Sequence, residues 1–184
     1  MSRPRRYTKG DSFVWLDRDG KLHRESGPAV EHSNGAKEWW INGKRHRVGG
    51  PAIDWGDGNE EWYLNGELHR VDGPAIKLKN GDEYWYKNDK LHRLDGPAIK
   101  LGTGDVTWFC DGLLHRLDGP AVSNLAIKEW WVAGKRHRLD GPAMICYDGH
   151  LEWFIDDVSY SEEEWFSRIN KENKIAYLFN MDGE

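Results

Sequence analysis

Short runs of alternating apolar and polar residues recur along this chain. In one set Trp39 and Ile41 fall on one side of an extended strand. Trp62/Leu64, Trp108/Cys110, Trp130/Val132 and Trp153/Ile155 repeat that pair, and Trp85/Lys87 departs from it. In a second set Ile53/Trp55, Ile76/Leu78 and Ile99/Leu101 alternate likewise. A period of two is that of β-strands buried on one face, so both sets are expected on the core face. The opposite face is expected to be wetter. It carries Glu38/Trp40, Glu61/Tyr63, Tyr84/Tyr86, Thr107/Phe109, Glu129/Trp131 and Glu152/Phe154, with Asp54, Lys77 and Lys100.

Each aromatic run closes on a turn pair: Asn42-Gly43, Asn65-Gly66, Asn88-Asp89, Asp111-Gly112, Ala133-Gly134 or Asp156-Asp157. These suit a type I′ hairpin, whose two central residues both take positive φ. Ala133 suits it least and is expected to mark a relaxed turn. Behind the turn stands an octet that occurs six times, His-Arg-x-x-Gly-Pro-Ala-x, starting at His23, His46, His69, His92, His115 and His137. The histidines step by 23 residues four times and by 22 once. A fixed period of that length is the mark of stacked repeats. A second turn follows each octet, at Asn34-Gly35, Asp57-Gly58, Asn80-Gly81, Gly102 to Gly104 and Asp148-Gly149, and is one residue short near Ser123-Asn124-Leu125.

The expected fold is therefore all-β: an elongated antiparallel meander of about six 23-residue β-hairpin repeats, two strands each, in a single twisted or rolled sheet. At about 4.8 Å between strands, six repeats would extend on the order of 60 Å. Residues 1–12 form a lead-in whose basic stretch, Ser2 to Lys9, is expected to fray. The repeat domain spans 13–157, its first unit carrying one extra residue before Asp19-Gly20. Residues 158–184 form a short C-terminal helical cap. Ser161 and Glu164 make a capping box for a helix over about 161–170, and the apolar stretch Ile175 to Phe179 helps to cover the open sheet edge.

The pattern aromatic-x-x-Asn-Gly-Lys-x-His-Arg-x-Asp-Gly-Pro-Ala, on this period, resembles a divergent form of the membrane occupation and recognition nexus (MORN) repeat. Trp39 to Gly43, Trp62 to Gly66, Trp108 to Gly112 and Trp130 to Gly134 match the hairpin half, and the likeness covers about residues 13–157. The His-Arg-x-Asp-Gly-Pro-Ala half departs from that family's Gly-x-Gly pattern and is similar to repeats in bacteriophage and giant-virus proteins. The resemblance implies an elongated β-sheet that contacts proteins or lipids, and it implies no active site.

Composition narrows the picture. Eleven tryptophans concentrate the apolar area at a few fixed positions. A net charge of −5 weighs against nucleic acid held by phosphate contacts and against an anionic membrane surface. Two cysteines make no disulfide framework, and Cys110, where other repeats place Ile41, Leu64, Val132 and Ile155, is expected to be a buried thiol. With no apolar run of membrane length and no signal peptide, a cytoplasmic protein is expected, in the host cytoplasm if it is viral.

The repeat itself limits what chemistry the polar residues can do. Equivalent histidines in neighbouring repeats should stand roughly 10 Å apart by strand spacing, too far to share a metal ion. A structural role is expected instead: a ring beside the repeat Trp, bonded to a carbonyl of the Gly-Pro corner. Arg70/Asp72, Arg93/Asp95, Arg116/Asp118 and Arg138/Asp140 should pair, and Arg47 lacks the local acid. Most polar groups occur in several copies, unlike the single asymmetric constellation of an active site. The expectation is no enzyme, no cofactor and no metal. The chain is read as a non-enzymatic scaffold for protein–protein interaction, extending to a virus-encoded inhibitor of a host defence factor. Its contact surface is the outer stripe Trp40, Tyr63, Tyr86, Phe109, Trp131 and Phe154, with Lys44, Arg45, Arg47 and Arg136 beside it. The alternative is a sink for a nucleotide-like small molecule, stacked on an aromatic ring and gripped by Arg45, Arg47 or Arg136.

Overall fold

The computed structural model describes residues 4–181; Ser2 and Arg3 of the basic stretch and the last residues of the cap, 182–184, lie outside them. The chain divides into two compact units, residues 1–92 and 93–184.

In the first unit β1 (Arg5–Lys9) pairs antiparallel with β2 (Ser12–Leu16). The expected frayed lead-in is thus a strand. Its five residues are all exposed, and Arg5, Arg6 and Lys9 put charge along a sheet edge, which discourages further pairing. The meander runs on through β3 (Val30–Glu31), β4 (Lys37–Glu38) and β7 (Ile53–Asp54). Between the last two, β5 (Trp40–Ile41) and β6 (Lys44–Arg45) make a separate two-stranded hairpin. The same plan returns at 60–77 and, in the second unit, at 106–123 and 127–146. Over both units the meander holds fifteen short strands among the described residues, so the protein is an antiparallel all-β meander.

Two expectations need correction. The repeats between residues 37 and 146 have four short strands rather than two, because the aromatic run breaks at its first Trp; Ser12–Leu16 and Leu151–Ile155 run unbroken through Trp15 and Trp153. Trp39 donates its amide to the Ala52 carbonyl and accepts from the His46 amide, so it links the sheet to the hairpin. Alternation runs through the break unchanged, which hides it from pattern alone. The faces also differ. Val30 stands opposite Glu38, Glu38 opposite Ile53, Ile53 opposite Glu61 and Glu61 opposite Ile76. Directly paired residues share a face, so the glutamates lie with the branched residues, not against them.

The turns take the positive φ expected of them: Asn42, Asn65, Asn88, Asp111, Ala133 and Asp156 have φ between 50° and 56°. Ala133, at 51°, holds the same strained geometry instead of relaxing. Burial falls on small residues. The octet alanines Ala29, Ala52, Ala75, Ala98, Ala121 and Ala143 are wholly inaccessible, and Ile53 beside Ala52 is nearly so. Neighbours along a strand point to opposite faces, so this short strand is covered on both sides.

The helical cap is present as two helices. Ser161 caps α1 (Glu162–Arg168) with both arms of the capping box, and the apolar stretch belongs to α2 (Lys171–Met181). Trp165, Ile169 and Tyr177 form a buried cluster on Leu139, Trp153, Ile155 and Tyr160. Among the described residues no helix is long and apolar enough to cross a membrane.

Candidate interaction surface

Each octet builds a rigid corner around its arginine. The Arg116 guanidinium lies 3.9 Å from the centre of the Trp108 ring, donates to the Pro120 carbonyl at 3.2 Å and pairs with Asp118 at 2.9 Å. Arg47 over Trp39, Arg70 over Trp62 and Arg138 over Trp130 repeat the stack. The octet glycine closes the other side: a Cβ on Gly119 would stand 2.8 Å from the Arg116 Cζ. Arg–Trp stacking, a corner carbonyl and a missing side chain thus explain three letters of the motif together. Hydrogen bonds from Arg70, Arg93 and Arg116 hold the carboxyls of Asp72, Asp95 and Asp118 below their ordinary range. Arg47 has no carboxylate partner among the described residues and donates to the Pro51 carbonyl alone.

The arginine therefore takes the carbonyl expected for the histidine. The histidine reaches forward instead. His23, His46 and His115 accept, at Nδ1, the amide of the first turn residue of the next repeat, Asn42, Asn65 and Ala133. His69 meets the Asn88 side chain and His137 that of Asp156 in the same place. Each ring pins the following hairpin. His32, outside the octets, bridges Ser12 and Glu38 and ties β2 to β4.

The outer aromatics are brought together with basic residues, and they are partly covered. Trp40, Tyr63, Tyr86, Phe109 and Trp131 are half-buried and Phe154 is buried. The Trp40 and Trp131 indoles donate to Glu38 and Glu129, and the Tyr63 hydroxyl donates to Glu61. Burial and that bond push the Tyr63 phenol up to about 12. Arg45 lies between Trp40 and Tyr63, and Arg136 between Trp131 and Phe154, each about 5 Å from both ring centres. Arg136 also bonds Glu129, and Arg45 stands 3.6 Å from Glu38. Lys44 is exposed at the end of its hairpin.

The third octet position, which pattern reading passed over, is highly exposed. Val71, Leu94 and Leu117 are 90%, 81% and 79% exposed. An apolar residue inside an otherwise polar corner was the available signal. In the second unit a groove of about 460 Å³ opens at these corners, lined by Arg93, Leu94, Trp108, Cys110, His115 and Leu117 among others. Cys110 is half-buried there, not sealed in a core. The last corner is closed: Leu139 lies under the cap, where the Trp165 indole donates to the Arg138 carbonyl at 3.0 Å. Compared with known proteins, the sequence matches no family model and no curated protein.

Proposed function

We propose that this protein is a non-enzymatic repeat scaffold that binds another protein through its corners. The observation that carries the reading is the exposure of Val71, Leu94 and Leu117 on corners held rigid by stacked, hydrogen-bonded arginines. Exposed apolar side chains on a preorganised frame lose little entropy on binding. The aromatic stripe is the weaker candidate: its rings are half-buried and three of its polar tips are engaged by glutamates. The likeness to MORN-type and viral repeats supports a contact role and extends it to inhibition of a host factor in the cytoplasm.

The test is capture of a partner from host lysate by the wild type, by Leu94→Asp/Leu117→Asp and by Trp40→Ala/Trp131→Ala. Loss of the captured protein with the corner pair alone supports the reading. Retention by the corner pair overturns it.

Arg47 favours a second reading, a nucleotide-like small molecule held by stacking and guanidinium contacts, because that arginine stacks on Trp39 without a carboxylate partner. Mass spectrometry of the purified, heat-released protein tests it. A co-purifying nucleotide supports it and an empty protein removes it.

A further inference from the structure

The second unit contains one filled seat and an equivalent open one two repeats earlier. The filled seat holds Trp165 of α1 and is built from Leu139, Trp153, Ile155 and Tyr160, with the Arg138 carbonyl as acceptor. Every one of these has a counterpart 45 positions earlier: Leu94, Trp108, Cys110, His115 and Arg93. All five counterparts line the open groove. The backbone frame also agrees, since the Arg138 amide bonds the Phe154 carbonyl as the Arg93 amide bonds that of Phe109. The open copy has a smaller floor, with Cys110 in place of Ile155, and its Leu94 is 81% exposed.

We infer that the open groove takes a short amphipathic helix of a partner protein, one presenting a tryptophan with an aliphatic residue four positions later. This rests on the scaffold reading above and names the occupant. The chain's own α1 is the template. Trp165 of α1 and Ile169, the residue that caps its C-terminal end four positions later, bury together on the filled seat, and the indole N–H finds the corner carbonyl. At the open seat Leu94 and Trp108 repeat the aliphatic corner and the indole wall, while Cys110 and His115 stand in place of Ile155 and Tyr160. A groove of this volume accommodates one large anchor side chain, the usual form of an interface hot spot.

The experiment uses the full chain and a synthetic peptide of its own residues 161–170 as probe, with alkylation of Cys110 followed by mass spectrometry and Cys146 as internal reference. At ten times its dissociation constant a groove-bound peptide should slow Cys110 alkylation about tenfold by mass action and leave Cys146 unchanged. The same peptide with Trp165→Ala should not protect. Leu94→Asp in the protein should abolish protection without lowering the melting temperature, since that side chain is exposed. An unchanged Cys110 rate at millimolar peptide overturns the inference, including the case in which the peptide merely displaces the native cap. Protection by adenosine monophosphate, or by self-association of the chain seen in sedimentation, also overturns it by assigning another occupant. If the peptide fails while the corner pair still abolishes capture, the named occupant falls and the scaffold reading stands.

Discussion

Gly119 shows how one residue type can be required by a neighbour's side chain rather than by its own backbone. The missing Cβ leaves room for the Arg116 guanidinium, which is at once stacked on Trp108, bonded to the Pro120 carbonyl and paired with Asp118. Gly119→Ala should therefore push the guanidinium off its ring and cost about 1–3 kcal/mol in urea unfolding. The double mutant with Trp108→Leu should cost less than the sum of the two changes. Arg116→Lys should lose most of the stack and the forked bonds despite keeping the charge. The recurrence of Arg and Gly was plain in the sequence, and so was the Arg–Asp pairing. The exchange of roles between His and Arg was not, because a fixed spacing says which groups recur but not which of two adjacent donors faces the corner. Tyr63 offers a second test. Its phenol, raised to about 12 by burial first and by the Glu61 bond second, contributes stability below the ordinary tyrosine range near 10. That contribution should vanish as the pH climbs through 12. A phenolate absorbance titration should show Tyr63 among the late-titrating tyrosines, and Tyr63→Phe should remove it.

At the scale of the element, the small hairpin is the part whose existence was legible and whose attachment was not. Asn65-Gly66 and its equivalents announce the turn, and their positive φ values agree. The break between β4 and β5 was invisible because the alternation of Glu38, Trp39, Trp40 and Ile41 continues across it. What holds the detached hairpin is the histidine of the preceding repeat, accepting the turn amide, and the glutamate below it, accepting the aromatic tip. Within the first unit, His46→Ala should strand the Asn65 amide and cost about 0.5–1.5 kcal/mol, seen as faster hydrogen exchange confined to residues 63–68. The strained Ala133 predicts the opposite sign. Ala133→Asn, a residue that tolerates φ near 51°, should raise stability by roughly 0.5–1 kcal/mol in the same assay. A null result there would mean that the unfolded chain gains as much from the change as the turn does.

For the molecule as a whole, thin repeats replace a thick core. The inaccessible positions of the meander are mostly alanines, while the large buried cluster sits at the C-terminal end, around Trp165. Stability in such a chain is close to a sum of local and nearest-neighbour terms. The repeat count, the meander and the cap could be foreseen from period, turn residues and the capping box. The exposed corners could not, because exposure of the third octet residue depends on whether anything covers its corner, and among the described residues Leu139 is the one that the cap covers. Trp165→Ala is the decisive perturbation of that arrangement. It should cost about 3–5 kcal/mol locally, unseat α1 and uncover Leu139, Trp153 and Ile155. Hydrogen exchange should then rise across residues 137–169 while residues 13–77 in the first unit keep wild-type protection. Equal loss of protection in both regions would instead mean that the chain unfolds as one cooperative body, and the additive account of its stability would fail.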